Sequence, residues 1–229
     1  RGRDYHKELG RRLKRIARRL ADLYPTERFR SFTDSGPLNE RYYAEGAGLG
    51  VTGRNTLLYN GELGSWFFIG EIVSTRRFTP TPHRFGDESR GRGRLTGCPS
   101  ACRRCIDACP TGAIVRPYVI DASRCISYLT IEYQGVIPVE LRPAIGARIF
   151  GCDVCQEVCP LNRDVVGTEV ENFRRDIAGA APPLGEILEL ADDEAFVRRF
   201  AGSPLVRAGR PLIQRNPAAT AGNLGAGES

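Results

Sequence analysis

Seven of the eight cysteines fall in two runs that end alike. Cys98, Cys102, Cys105 and Cys109 lie in Gly97-Cys-Pro-Ser-Ala-Cys-Arg-Arg-Cys-Ile-Asp-Ala-Cys-Pro110. Cys152, Cys155 and Cys159 lie in Cys152-Asp-Val-Cys-Gln-Glu-Val-Cys-Pro160, and Cys125 stands alone between the runs. Both close on Cys-x2-Cys-x3-Cys-Pro, the spacing that binds four-iron, four-sulfur clusters. A cubane needs a thiolate on each iron, and a short loop aims about three at one cluster, so in two-cluster ferredoxins the Cys before Pro serves the other cluster. By that rule Cys98, Cys102, Cys105 and Cys159 hold one cluster, and Cys109, Cys152 and Cys155 hold three corners of the second. A symmetrical second loop would put the missing ligand at Ile149, which cannot ligate. Cys125 takes its place, and every thiol is then used. One departure stands: three residues, not two, separate Cys98 from Cys102. A chain built this way is expected to move electrons.

Other uses of the thiols predict different chemistry. Disulfides need an oxidising compartment, but no signal peptide is visible, so the cytoplasm is expected, and a chain of 229 residues with 41% hydrophobic residues can bury a core without them. Zinc held by Cys102, Cys105, Cys152 and Cys155 would be tetrahedral, but it would leave four cysteines idle, both that precede Pro among them. An iron-sulfur module that only feeds electrons to a partner remains open.

The net charge of +6 is concentrated. Leu9, Leu13, Ile16, Leu20 and Leu23 alternate in steps of four and three, which predicts an amphipathic helix over 5–23, with Asp4 as N-cap and Pro25 as stop. Its other face carries Arg11, Arg12, Lys14, Arg15, Arg18 and Arg19, a face for solvent or for phosphates. Arg76, Arg77, Arg84, Arg90, Arg92 and Arg94 precede the first cluster loop and favour a polyanionic partner. No apolar run reaches transmembrane length, so no membrane partner is expected. The chain opens at Arg1 and contains no Met, so it is expected to be a piece of something longer, with a frayed Gly-rich tail from Pro217.

The fold class predicted is α+β. Strands are expected near 28–33, 56–59 and 65–74, and a helix opening at Pro37 with its exit at Gly46 or Gly48. Residues 80–96 are rich in Pro, Gly and Arg and read as a linker or a loop that orders on binding. This divides the chain into 1–96, a cluster region over 97–165 and a helical region over 166–229. Trp66, Phe67 and Phe68 read as core strand rather than a base-stacking platform, and Tyr42 and Tyr43 are undecided. Gly48-Leu-Gly-Val-Thr-Gly53 matches the dinucleotide fingerprint, with Glu71 near the acidic position, but it follows a helix where that motif needs a strand.

Arg1-Gly-Arg-Asp-Tyr-His-Lys7, Thr33-Asp-Ser-Gly-Pro-Leu38, Gly48-Leu-Gly-Val-Thr-Gly-Arg-Asn-Thr56, Gly64-Ser-Trp-Phe-Phe-Ile-Gly-Glu-Ile72, Arg124-Cys-Ile-Ser-Tyr-Leu-Thr-Ile-Glu132 and the second cysteine run resemble, in order, the epoxyqueuosine reductase family. The resemblance covers nearly the whole chain and includes the lone Cys125. It implies reduction of the epoxide of epoxyqueuosine at the tRNA wobble position, with a cobalamin beside two four-iron, four-sulfur clusters. It also implies a cobalamin region similar to that of reductive dehalogenases, followed by a ferredoxin-like region and C-terminal helices. A flavodoxin or ferredoxin system would be the electron donor, and the protein would act as a monomer. That family has a considerable segment ahead of the Asp-Tyr-His stretch that this chain lacks, so part of the cofactor pocket is expected to be missing.

Opening an epoxide to an alkene takes two electrons and leaves an oxygen to be protonated, so an acid is required. The resemblance puts it at Asp34, which it also places against the cofactor. A carboxyl that gives up a proton near neutral pH needs burial or a nearby negative group, whereas a following helix N-terminus works the other way; without the resemblance, Asp34 reads as a helix cap. Arg54, Asn55 and Thr56 are expected near cobalamin amides or its phosphate, and Thr130 and Asp153 where a cluster faces the corrin; each is equally readable as scaffold. Asp4-x-His6 resembles the start of a loop that presents His to cobalt in some cobalamin proteins, but Gly10 comes one place late and the segment is helical, so His6 is expected to be a polar residue on the first helical turn.

Overall fold

The structure, a computed structural model, describes residues 2–79 and 97–224. The chain folds into two compact units, one of 4–102 with 160–167 and one of 1–3, 103–159 and 168–229. The expected loop at 80–96, with Arg84, Arg90, Arg92 and Arg94, lies outside the described residues.

The first unit opens on α1 (Tyr5–Leu23), whose bounds are those the periodicity predicts. Asp4 caps it, its carboxylate accepting the His6 backbone N–H at 3.0 Å. Of the apolar stripe only Leu13 is buried, while Ile16 and Leu23 are exposed. Against α1 packs an antiparallel pair, β1 (Phe29–Phe32) and β4 (Glu71–Ser74), with Phe32 opposite Glu71. A Cβ on Gly70 would come within 2.7 Å of the tip of the Leu13 side chain, which would have to shift to admit it. Between these strands come α2 (Glu40–Gly46), β2 (Val51–Thr52) and β3 (Leu58–Tyr59), the last two again antiparallel.

The structure corrects two expectations in this unit. Helix α2 opens at Glu40 with Asn39 as its cap, not at Pro37. Residues 65–70 form no strand, and Trp66 and Phe68 are 44% and 49% exposed, so they are not core. Within 48–53, a Cβ on Gly50 would meet the Tyr59 carbonyl and one on Gly53 the Tyr59 ring, so the smallness of these positions is explained by the buried Tyr59.

The second unit holds the cysteine-bearing turns α3 (Arg104–Asp107) and α6 (Val154–Glu157), a small hairpin of β5 (Ile114–Arg116) and β6 (Val119–Ile120), and helix α4 (Ile126–Ile131). Short helices follow: α5 (Arg142–Ile145), α7 (Glu171–Arg174), α8 (Leu184–Leu188), α9 (Asp193–Phe200) and α10 (Leu205–Ala208). The chain closes on α11 (Arg210–Leu224), which runs through Pro217. Fraying is not seen over 217–224, where the chain is helical and Pro217 is fully buried, the packing of α11 outweighing the hydrogen bond that proline cannot donate; the rest of the expected tail, 225–229, lies outside the described residues. One apolar cluster joins α8, α9, α10 and α11 through Ile187, Phe196, Phe200 and Ile213; a second joins α4 and α5 through Ile126, Leu129 and Ile145.

Candidate active site and cluster-binding segments

The two cysteine motifs fold alike. In the first, the N–H groups of Ile106 and Asp107 both donate to the Arg103 carbonyl at 2.9 Å, and Cys109 N–H donates to Ile106 at 3.3 Å. Fifty residues on, Gln156 and Glu157 donate to Asp153 at 2.8 and 2.9 Å, and Cys159 to Gln156 at 3.1 Å. Each motif is therefore a single helical turn between its second and third cysteines, after which Pro removes the N–H that would extend it. Helix α3 packs on α6. The extra residue between Cys98 and Cys102 is taken up by a tight turn: Cys102 N–H donates to the Pro99 carbonyl at 3.1 Å and Ala101 adopts φ 58°.

None of the eight cysteines forms a disulfide; Cys105 and Cys159 are buried and the rest half-buried. Among the described residues no three His, Cys, Asp or Glu side chains gather closely enough to grip one metal ion. A cubane asks for a wider cage, since each thiolate meets its own iron. The surroundings of Cys98 and Cys109 suit anionic sulfur. Burial alone would raise the Cys109 thiol, but the backbone N–H groups of Ile114 and Ala113, with Thr111, outweigh it and draw the thiol below its usual range; the Ala113 N–H donates to Sγ at 3.2 Å. Arg54 N–H donates to Cys98 Sγ at 3.3 Å, and its guanidinium donates to the Cys102 carbonyl. Such N–H···S bonds stabilise a thiolate and tune a cluster's potential.

Cys125 lies at the N-terminal edge of α4 and electrostatically faces Cys152. Burial pushes the Cys152 thiol up, and Cys125 and Asp153 push the same way against Val154 N–H and Arg148. The lone cysteine and the second run are thus brought together in one unit. Helix α4 holds that run in place: Cys152 N–H donates to Ser127 Oγ at 3.1 Å, and Gly151 N–H donates to Thr130 Oγ1 at 2.9 Å. Thr130 is fully buried and its own hydroxyl donates to the Ile126 carbonyl at 2.7 Å. Asn216 donates to both Thr130 and Ile149 carbonyls at 2.8 Å, and the Arg215 guanidinium donates to the carbonyls of Leu129, Tyr133 and Gly135. Burial lowers Arg215 from its ordinary value. Ile149 itself packs on the α8–α11 apolar cluster. Asp153, exposed at the start of α6, is pushed up by partial desolvation, against the Gln156 amide and along with Glu157.

In the other unit Asp34 follows β1 in a left-handed conformation, φ 52°, which a non-glycine residue holds only against a steric cost. It caps no helix; its side chain is 60% exposed. Its Oδ2 accepts the Tyr5 hydroxyl and lies 3.7 Å from His6 Nε2. The Tyr5 ring stacks on Phe68 with centroids 4.1 Å apart at 3°. Spacing did not predict the pairing of Tyr5 and His6 with Asp34, although Tyr5 and His6 both follow directly on the Asp4 cap. Asn55 is buried, its amide donating to Tyr59 Oη at 2.9 Å, and Thr56, at φ 68°, accepts the Arg41 guanidinium on its carbonyl at 2.6 Å. The Arg54 Nε is buried without an acceptor among the described residues.

Residues 98–162 match a family described as a 4Fe-4S double cluster binding domain, and residues 1–35 match the family Epoxyqueuosine reductase QueG, DUF1730. A protein of Pseudomonas aeruginosa named epoxyqueuosine reductase is 46% identical over 97% of this chain and 58% of its own length. One of Escherichia coli with the same name is 45% identical, over 97% of this chain and 55% of that protein. The chain thus spans little more than half the length of these relatives. Among solved structures, epoxyqueuosine reductase with a tRNA-Tyr epoxyqueuosine-modified tRNA stem loop aligns with TM-score 0.85 at 32% identity, over 97% of this chain and 56% of that one. The Bacillus subtilis enzyme, with its catalytic aspartate loop swung out of the active site, aligns with TM-score 0.84 at 32% identity, over 97% and 55%.

Proposed function

This chain is homologous over 97% of its length to the epoxyqueuosine reductases, and from that premise we propose that it reduces the epoxide of epoxyqueuosine in tRNA to the alkene of queuosine. The homology carries the reading. Asp34 is exposed, not buried as the acid was expected to be; its carboxyl caps no helix, is held by Tyr5 and is open to a substrate, and the acid role rests on the homology. The relative captured with a modified tRNA stem loop supports the substrate class, and the exposed Arg15, Arg18 and Arg19 of α1 supply cations for its phosphates.

Cys98, Cys102, Cys105 and Cys159 would hold one four-iron, four-sulfur cluster and Cys109, Cys125, Cys152 and Cys155 the other, and the pair would supply one-electron transfer. The N–H donors on Cys98 and Cys109 and the approach of Cys125 to Cys152 fit that assignment. Cobalamin, when bound, would supply the low-potential centre that attacks or reduces the epoxide carbon. The half-exposed Phe68, stacked on Tyr5 beside Asp34, fits the flat apolar face of a macrocycle, and the acceptor-less Arg54 Nε fits one of its amides or its phosphate. Tyr5 orients the acid, and Asp34 delivers a proton to the oxygen as it leaves. Asn55 and Thr56 hold the loop around Arg54, while Thr130 and Asp153 frame the second cysteine run. We place the protein in the cytoplasm as a monomer, drawing electrons from a flavodoxin or ferredoxin; no helix among the described residues is long and apolar enough to cross a membrane.

Anaerobic reconstitution tests the reading. Iron and sulfide for two clusters, a corrinoid absorption and alkene formed in a tRNA stem loop are expected. Iron and sulfide without corrinoid or turnover would leave an electron-transfer module in its place.

A further inference from the structure

Converting an epoxide to an alkene breaks both C–O bonds, forms the C=C bond and releases the oxygen as water, so it consumes two electrons and two protons. A single carboxyl carries one proton. Resting on the reading above, we propose that His6 supplies the second, through the same Asp34 oxygen, and that Asp4 holds His6 in the tautomer this requires.

The geometry is a chain of four side chains within one unit. Asp4 is buried, and its Oδ1 meets both the His6 backbone N–H and His6 Nδ1 at 3.0 Å. A helix cap needs only the first of these bonds. The second puts a carboxylate on Nδ1, so Nδ1 bears hydrogen and Nε2 is the atom that gains and loses a proton. Nε2 points toward Asp34 Oδ2 at 3.7 Å, and the His6 ring lies against Tyr5, centroids 4.1 Å apart, whose hydroxyl donates to that same oxygen. Catalytic hydrogen bonds commonly stand long without substrate and tighten in the complex. His6 is 19% exposed, open enough to recover its proton from water.

The step balances as follows. Asp34 gives its proton to the oxygen of the first C–O bond to break. The His6 imidazolium then protonates the Asp34 carboxylate, which passes that proton to the departing hydroxide as the second C–O bond breaks. The two electrons would be supplied by the external reductant through the bound redox groups. His6, left neutral, is reprotonated by solvent.

The test uses the loaded protein with a modified tRNA stem loop. His6→Gln is expected to lower kcat about 100-fold while KM and the iron and corrinoid contents stay within about twofold of wild type. Imidazole added to His6→Ala is expected to restore rate in proportion to its concentration. Asp4→Ser keeps the helix cap and removes the carboxylate from Nδ1. Nitrogen-15 NMR is expected to show neutral His6 as the Nδ1–H form in the wild type and mainly as Nε2–H in Asp4→Ser, with kcat reduced about tenfold. Wild-type kcat in His6→Gln, activity lost only in proportion to cofactor content, no rescue by imidazole, or a tautomer indifferent to Asp4 would each overturn the proton feed. If Asp34→Asn is inert while His6→Gln turns over normally, the proposed function stands and this inference fails. A wild type that holds clusters and corrinoid but leaves the epoxide intact sinks both.

Discussion

The segment around Asp34 and the segment around Cys152 treat their working groups in opposite ways. Cys152 is gripped from several sides: Ser127 takes its N–H, Thr130 takes that of Gly151, and Asn216 clamps the carbonyls of Thr130 and Ile149. Asp34 is exposed, sits at an unfavourable φ, and is held at one oxygen by Tyr5. A cage for a rigid inorganic cube loses function if a ligand drifts, so buried hydrogen bonds that cost about 1–3 kcal/mol each to orphan are an appropriate support. An acid that must reach a substrate needs the reverse, a side chain in water on a backbone ready to move. The contrast separates residues whose loss should affect chemistry from those whose loss should affect stability.

Removing the proposed acid sharpens the contrast most. Asp34→Asn is expected to lower turnover by about 1,000-fold with cluster content and melting temperature unchanged; single-turnover kinetics beside an iron assay reads both. In the other segment Cys125→Ala is expected to remove one cluster, so iron falls from about eight to about four per chain, with the corresponding loss of the reduced-cluster EPR signal. Iron content equal to wild type would detach Cys125 from the cage. Asn216→Ala leaves two buried carbonyls without donors and is expected to destabilise the protein by about 2–4 kcal/mol, measured by denaturant unfolding. If it lowers turnover and leaves stability alone, the division between the segments fails.

Charge reversal at Arg15, Arg18 and Arg19 touches neither segment. It is expected to weaken tRNA stem-loop binding and flatten the salt slope by up to about 3, with kcat at saturation intact. Glu71 offers the smallest test. Its carboxyl oxygens are buried without a hydrogen-bond partner among the described residues, and desolvation, then Glu40, raises it above the ordinary value of 4.5. A carboxyl whose folded pKa is raised costs stability when ionised. The cost is absent below the unfolded value and complete once pH passes the raised one. Glu71→Gln is therefore expected to raise the melting temperature at pH 7 by at most about 2 °C, a gain that vanishes at pH values below the ordinary carboxylate range.

Local regularities carried the readable part. The 3.6-residue spacing of leucines gave α1 with its bounds and its Asp4 cap, and the repeated cysteine spacing predicted two like turns, which fold with the same hydrogen bonds fifty residues apart. Where no period or cap constrained the backbone, expectation and structure part. The exposed Trp66 and Phe68 looked like core because aromatic runs in strands and in irregular segments have the same composition, and Pro217 looked like the start of a frayed tail because its burial in α11 depends on residues far from it in sequence.

Sequence alone therefore determined the thiol inventory, the basic helix and the resemblance to the epoxyqueuosine reductases, since each rests on residues close together along the chain or on their order. The tertiary structure decided which groups meet: Cys125 with Cys152, Asn216 with the backbone of residues 130 and 149, and Asp34 with Tyr5 and His6, 29 and 28 positions away. Hydrogen bonds and charges act over a few ångströms of space, and no spacing rule along a chain states which distant residues folding will bring within that reach.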